Sequence, residues 1–240
     1  MKKIAIIVAG GSSVRMGKDI RKPYLHLDGI PILARTIAAF NSCNDIDGIY
    51  VVVPEGDMPF CRRNILSRIR MKKPIDMVGG GRERQQSVYH ALAVIEDRSS
   101  LIVVHDGVRP FITPNGISRC IAGAEPTGAC ITAVPVQETL KRIQFSDDSR
   151  IEKTIDRKDI WIAQTPQVFS YELILRAHAS AIENGFSGTD DASLVERLGR
   201  PVRVVEGSRF NIKITTPDDL LFAEAICRME KKACASVFRQ

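Results

Sequence analysis

Long hydrophobic runs are missing from this 240-residue chain. No apolar stretch approaches the about 18 residues that would cross a membrane as a helix. The opening "MKKIAIIVAGG" has a charged start but only a short apolar run before a turn, too little for a secretion signal, so a cytoplasmic protein is expected. The six cysteines (Cys43, Cys61, Cys120, Cys130, Cys227, Cys234) include no C-x-x-C pair and no histidine at zinc-ligand spacing. Structural zinc is therefore not expected, and free thiols in a reducing compartment are. Aromatics are sparse, at 6% with one Trp, and they do not interleave with the basic residues. The net charge of +6 favours acidic partners without separating nucleic acid from small phosphates, but basic residues that follow strand ends singly, without stacking groups between them, rank nucleic acid last. No repeat, low-complexity tract or Pro/Gly/Ser-rich linker divides the chain.

What is present is a rhythm. Apolar, β-branched runs recur as "KIAIIV" near residue 3, "IYVVVP" near 49, "PIDMV" near 74, "LIVVHD" near 101, "ACITAVP" near 129 and "VRVVEG" near 202. Such runs suit strands buried on both faces. Between them, "PILARTIAAF" puts Leu33, Ile37 and Phe40 on one helical face, and "QQSVYHALAVI" does the same with Val88, Leu92 and Ile95. The alternation predicts a mostly parallel sheet covered by helices.

Residues 136 to 169 break the rhythm. They predict short polar strands joined at "SDDS" with no helix between them. A hairpin with so few apolar residues is marginal in water, so an arm packed against something else, such as a second subunit, is expected.

Several loops follow strands and carry polar groups. In "VAGGSSVRMGKDIRKPY", Val8 to Tyr24, the glycine spacing matches neither the P-loop nor the dinucleotide fingerprint: five residues separate Gly11 from Gly17, and Asp19 follows Lys18. Successive bare amides at a strand end still make an anion-binding concavity, with Arg15 and Lys22 adding charge; the alternative is a solvated basic face. "GGGRERQQSV" offers glycines for close backbone approach and Ser87 at a helix start, or is merely a flexible loop. "VVHDGVRPF" puts Asp106 and Arg109 after a strand, where they could meet a ribose hydroxyl, magnesium or phosphate, or simply pair with each other. Lys213 lies in "NIKIT", which alternates like a short strand, and Arg157 lies on the polar arm.

Taken in order, "AGGSSVRMG" with Lys22, "GGRERQQSV", "HDGVRPF", "PVQETLKR", "TIDRKDIWIAQTPQVF", "TDDASLVE" and "NIKITTPDDL" resemble the 2-C-methyl-D-erythritol 4-phosphate cytidylyltransferase family from Ile4 to about Ile226. The resemblance implies a single domain over 1–240 with a three-layer, Rossmann-like α/β nucleotidyltransferase fold. It also implies a protruding dimerisation β-arm at about 136–160. The implied reaction joins CTP to methylerythritol phosphate with magnesium, releasing pyrophosphate, in isoprenoid precursor synthesis. By motif position Arg15 and Lys22 stabilise the transition state, and Ala9, Gly10, Gly11 and Ser12 line the nucleotide. Gly81, Arg82 and Ser87 meet cytosine, while Asp106 holds the ribose or the metal. Arg109, Thr165 and Lys213 serve the acceptor, with Thr139 and Arg157 arriving from the partner's arm of a homodimer. The sequence departs from the family at Arg21-Lys22-Pro23-Tyr24, where proline follows the lysine, and at Ser13 in the first loop. Two alternatives stand: ribitol 5-phosphate cytidylyltransferase, and a nucleotide-binding regulator without catalysis.

The implied chemistry explains the absence of an evident catalytic histidine. The attacking phosphate is already ionised, so the protein must chiefly supply positive charge around phosphorus. His105 is accordingly expected to pack or orient.

Overall fold

The computed structural model describes residues 1–10, 21–144 and 149–237, with side chains as far as residue 231. Its strands are β1 (Lys3–Val8), β2 (His26–Leu27), β3 (Ile30–Pro31), β4 (Gly48–Val53), β5 (Ile75–Gly79), β6 (Leu101–Asp106), β7 (Ala129–Pro135), β8 (Leu140–Gln144), β9 (Arg150–Ile155), β10 (Trp161–Ser170) and β11 (Arg203–Glu206). The helices are α1 (Ile32–Ser42), α2 (Met58–Asn64), α3 (Arg84–Val94), α4 (Pro114–Ala124), α5 (Tyr171–Glu183), α6 (Asp191–Arg197) and α7 (Pro217–Val237).

Seven strands form one sheet in the order β11-β7-β10-β6-β1-β4-β5. All neighbouring pairs run parallel except those of β10, which is antiparallel to both β6 and β7. Each of the six apolar runs is a strand of this sheet. Their side chains alternate between two cores: from β1, Ala5 and Ile7 pack beneath α1 and α4, whereas Ile4, Ile6 and Val8 pack toward α3 and α5. That is why the central runs read as continuously hydrophobic, since a strand covered on both faces has no solvent side, whereas the edge strands β5 and β11 are only partly covered. The predicted helical faces are buried too, with Leu33, Ile37 and Phe40 on α1 and Val88 and Leu92 on α3.

Two expectations need correction. The stretch ending near residue 169 is not a run of short polar strands throughout, because Trp161–Ser170 forms the ten-residue β10 inside the main sheet. Its polar buried residues Gln164, Thr165 and Gln167 hid it. Pro166 hid it further, and the ladder accommodates this segment by a register shift between Ala163 and Gln167. "NIKIT" is not a strand either: Ile214 donates one backbone bond to Val108, and no ladder forms. The alternation there has another cause, since Ile214 is buried in a third small core under α7 while Lys213 faces the site.

The arm is a hairpin of β8 against β9, largely exposed and paired only with itself among the described residues. Its tip, 145–148, lies outside those residues. Five described cysteines are free and buried. No helix of the described residues is long and apolar enough to cross a membrane.

Candidate active site

The sheet register brings the motif loops together. Val8 pairs with Asp106 across β1 and β6, Ala9 donates to Val52 at 2.7 Å, and Gly107 donates to Val8 at 2.8 Å. Three loops therefore leave the same carboxyl edge of the sheet, where open α/β folds bind ligands. Gly10 touches the Gly80 loop so closely that a Cβ there would lie 3.2 Å from Ser87 Oγ and 3.5 Å from Gly80 Cα. Ser87 is fully buried; its hydroxyl donates to Glu83 O at 2.9 Å and accepts from Gly81 N at 3.1 Å. Arg82 is exposed, with its backbone N–H held by Gln86 Oε1 at 2.9 Å.

Asp106 is the electrostatic centre. Its Oδ1 accepts from Arg84 Nε at 2.9 Å, and its Oδ2 lies 2.9 Å from Lys213 Nζ and 3.5 Å from Arg109 Nε. Burial by itself pushes this carboxyl's pKa up, but Arg84 and Lys213 override it and hold the group far below the usual carboxylate range. Arg84 continues the network, its Nη1 donating to the fully buried Asp191 at 2.7 Å. Asp191 Oδ1 is in turn 3.1 Å from His178 Nε2.

Behind Asp106, hydrogen-bond bookkeeping settles the state of His105. Thr165 Oγ1 accepts the Asp106 N–H at 3.1 Å and lies 3.0 Å from His105 Nδ1, while the Arg109 carbonyl on the other side of the ring can only accept. His105 Nε2 is then the protonated nitrogen and donates to the Arg109 carbonyl at 3.2 Å. Burial lowers the His105 pKa to about 4, in keeping with a neutral ring. His105 orients the Thr165 and Arg109 segments and does not face the cavity.

Lys22 sits on a single turn of 3-10 helix, Lys22–Tyr24, where proline at the start of a turn costs no hydrogen bond. Its ammonium donates to the Thr215 carbonyl. That carbonyl belongs to a capping box before α7. Asp219 accepts from Thr215 N and Thr216 N, each at 2.8 Å, while its own N–H goes to Thr216 Oγ1 at 3.2 Å.

Two adjoining cavities result, and Arg84, Asp106 and Lys213 line both. One, of about 180 Å³, also takes in Ala9, Lys22 and Thr215. The other, of about 230 Å³, adds Arg109, Thr165, Thr189 and Asp190. Lys22, Lys213, Asp106, Arg109 and Thr165 thus converge from four segments, Asp106 and Arg109 sharing the loop after β6. Thr139 and Arg157 do not join them within this chain: both are exposed at the arm's base, where Arg157 donates to the Gln137 carbonyl. Gly11, Ser12 and Arg15 lie outside the described residues.

Sequence reasoning missed Arg84 and Asp191, although both stand inside motifs it quoted. A signal was available. An arginine in the first turn of a helix opposes the helix dipole, so a nearby carboxylate was to be expected. No metal cage forms: among the described residues no three His, Cys, Asp or Glu side chains converge. With one oxygen held by Arg84 and the other by Lys213, Asp106 does not suit a protein-held magnesium ion.

A family profile described as 2-C-methyl-D-erythritol 4-phosphate cytidylyltransferase matches residues 3–229. The chain belongs to this cytidylyltransferase family. The enzyme of that name from Syntrophus aciditrophicus is 47% identical over 230 residues, covering 96% of this chain and 97% of its own length. Its counterpart from Bacillus velezensis is 44% identical over 231 residues, covering 96% and 97%. Among solved structures, the 4-diphosphocytidyl-2C-methyl-D-erythritol synthase of Anaerococcus prevotii superposes with a TM-score of 0.82 at 32% identity, covering 95% of this chain and 96% of that one. The cytidylyltransferase of Thermus thermophilus gives 0.77 at 32% identity, covering 95% and 100%. The fold is therefore that of cytidylyltransferases already solved as crystals.

Proposed function

We propose that this chain transfers the cytidylyl group of CTP to 2-C-methyl-D-erythritol 4-phosphate, giving the CDP-linked alcohol and pyrophosphate for isoprenoid precursor synthesis. The observation that carries the reading is Lys22 and Lys213 lining one cavity beside Asp106 at the carboxyl edge of the sheet, in a chain of this family. An acceptor phosphate oxygen attacks the α-phosphorus while the bond to the bridging oxygen breaks and pyrophosphate leaves. Lys22 and Lys213 neutralise charge that grows on the oxygens around phosphorus, with Arg15 adding to them. Asp106, kept ionised, accepts from a ribose hydroxyl and holds Lys213 in place. Backbone at Ala9 to Ser12 receives the phosphates, and the loop at Gly81, Arg82 and Ser87 receives cytosine. Arg109 and Thr165 meet the acceptor in the second cavity. Magnesium, carried on the triphosphate oxygens, would screen the two polyanions from each other.

Thr139 and Arg157 complete the acceptor site of a second copy in this reading. The arm has no apolar cover among the described residues, and Trp161, Ile162 and Val204 stay 43, 48 and 47% exposed near its base. Those features support a homodimer with shared sites; sedimentation as a monomer at micromolar concentration would overturn it. The five buried reduced thiols support a cytoplasmic setting.

The deciding assay offers purified protein Mg²⁺, CTP and either methylerythritol 4-phosphate or ribitol 5-phosphate, and follows pyrophosphate. Release with the first substrate alone is expected. Release with ribitol phosphate alone selects the alternative acceptor, and none with either selects a non-catalytic nucleotide binder.

A further inference from the structure

We infer that Asp57 is a positioning residue for Lys22, an inference that rests on the charge-stabilising role proposed for Lys22 above. Asp57 ends the 3-10 turn Glu55–Asp57 that follows β4 and immediately precedes α2. One of its oxygens, Oδ2, accepts from Arg21 Nε at 2.8 Å and from the Tyr24 hydroxyl at 3.0 Å. Those two residues flank Lys22-Pro23, so a single carboxylate ties the chain on both sides of the lysine. The turn between them is closed by Tyr24 N to Arg21 O at 2.9 Å. Tyr24 is buried, and its ring packs 5.1 Å from Phe60 of α2. Burial first, and then the adjacent Asp57 charge, raise the phenol's pKa, so Tyr24 stays a hydrogen-bond donor throughout the working pH range.

The reason this matters is the lysine's own freedom. A lysine side chain has four rotatable bonds, so where its ammonium dwells depends on how firmly its backbone is held. The Lys22 side chain makes one hydrogen bond among the described residues, to the Thr215 carbonyl. Its backbone is held by the Asp57 link, which fastens the turn to the end of β4. Asp57 does not line either cavity at the site, so it acts through Lys22 and not on substrate.

The test is a double-mutant cycle on the full-length enzyme, using Asp57→Asn, Lys22→Ala and the pair, with kcat, KM for CTP and thermal melting recorded for each. Asp57→Asn is expected to lower kcat roughly tenfold with KM within about twofold, and to add nothing in the Lys22→Ala background. Tyr24→Phe, which removes one hydroxyl and keeps the packing, should lower kcat in the same sense by a smaller factor and serves if Asp57→Asn does not fold. Unchanged kcat in both variants overturns the inference. So does an equal loss with and without Lys22, which would make Asp57 an independent structural group. If Lys22→Ala itself turns over normally, the role given to Lys22 fails first, and that result is distinct from the other two.

Discussion

Lys213 places its ammonium 2.9 Å from Asp106 Oδ2, joining the loop before α7 to the end of β6 across the mouth of the site. Lys213 is 40% exposed and Asp106 only 8%, so the pair has one end in water and one in the protein. The exposed ammonium keeps N–H donors beyond the one that faces Asp106, and the buried carboxylate is held from its other oxygen by Arg84.

Lys213→Ala should therefore cost activity far more than stability. Loss of one electrostatic donor to the transition state corresponds to roughly 2 to 4 kcal/mol, a fall of about 30-fold to 10³-fold in kcat/KM. The fold should lose less than about 1 kcal/mol, as for other half-exposed ion pairs. Steady-state kinetics and urea unfolding on the same preparation separate the two; near-normal turnover would refute the assigned role.

Arg84→Ala should behave in the opposite way. It strips partners from two carboxylates, Asp191 at 1% exposure and Asp106 at 8%, and removing one member of a buried pair costs about 3 kcal/mol or more. Arg84→Lys restores the charge without the fork that reaches both acids, and should recover only part of the loss. Equal melting temperatures for wild type and Arg84→Ala would show that the bridge contributes nothing.

His105 sets an acid limit. Its folded pKa is lowered to about 4 by burial, below the unfolded value near 6.5, so the unfolded chain binds the extra proton first. Stability is then full above about pH 6.5 and declines as pH falls toward 4, by roughly 3 kcal/mol over that window. Comparing the pH dependence of unfolding in wild type and His105→Gln should show a shallower slope in the variant between those limits. Identical slopes would mean that His105 titrates normally.

The sites proposed above to be shared between two copies make a mixing prediction. An Arg157→Ala chain and a Lys22→Ala chain, each nearly inactive alone, should regain part of the activity when unfolded and refolded together, because a mixed dimer holds one site with neither lesion. Mixed dimers verified by mass spectrometry that stay inactive would confine each site to one chain.

What the sequence determined by itself is whatever depends on local pattern. Six strands were legible as apolar runs, the central β1, β4, β6 and β7 because a strand covered on both faces must be apolar along its length, and the loops after them because a helix or turn must follow a parallel strand. The helical faces of α1 and α3 followed from spacing alone. The hairpin arm was legible for the opposite reason, since polar strands without a helix have nowhere to go but outward. Only tertiary structure decided what depends on distant partners. The strand β10 holds Gln164, Thr165 and Gln167 in the core because Ser208, His105 and Asp190, far along the chain, satisfy their polar groups. "NIKIT" looked like a strand because burial alternated, yet Lys213 turns toward Asp106 and its neighbours bury in the core under α7 without any edge to pair with. Arg84, Asp106 and Asp191 are 22 and 85 residues apart in succession, and no window of sequence shows that one guanidinium binds both acids. Local pattern sets where backbone hydrogen bonds are cheap to make; charges buried together are chosen by the packing that excludes water from them.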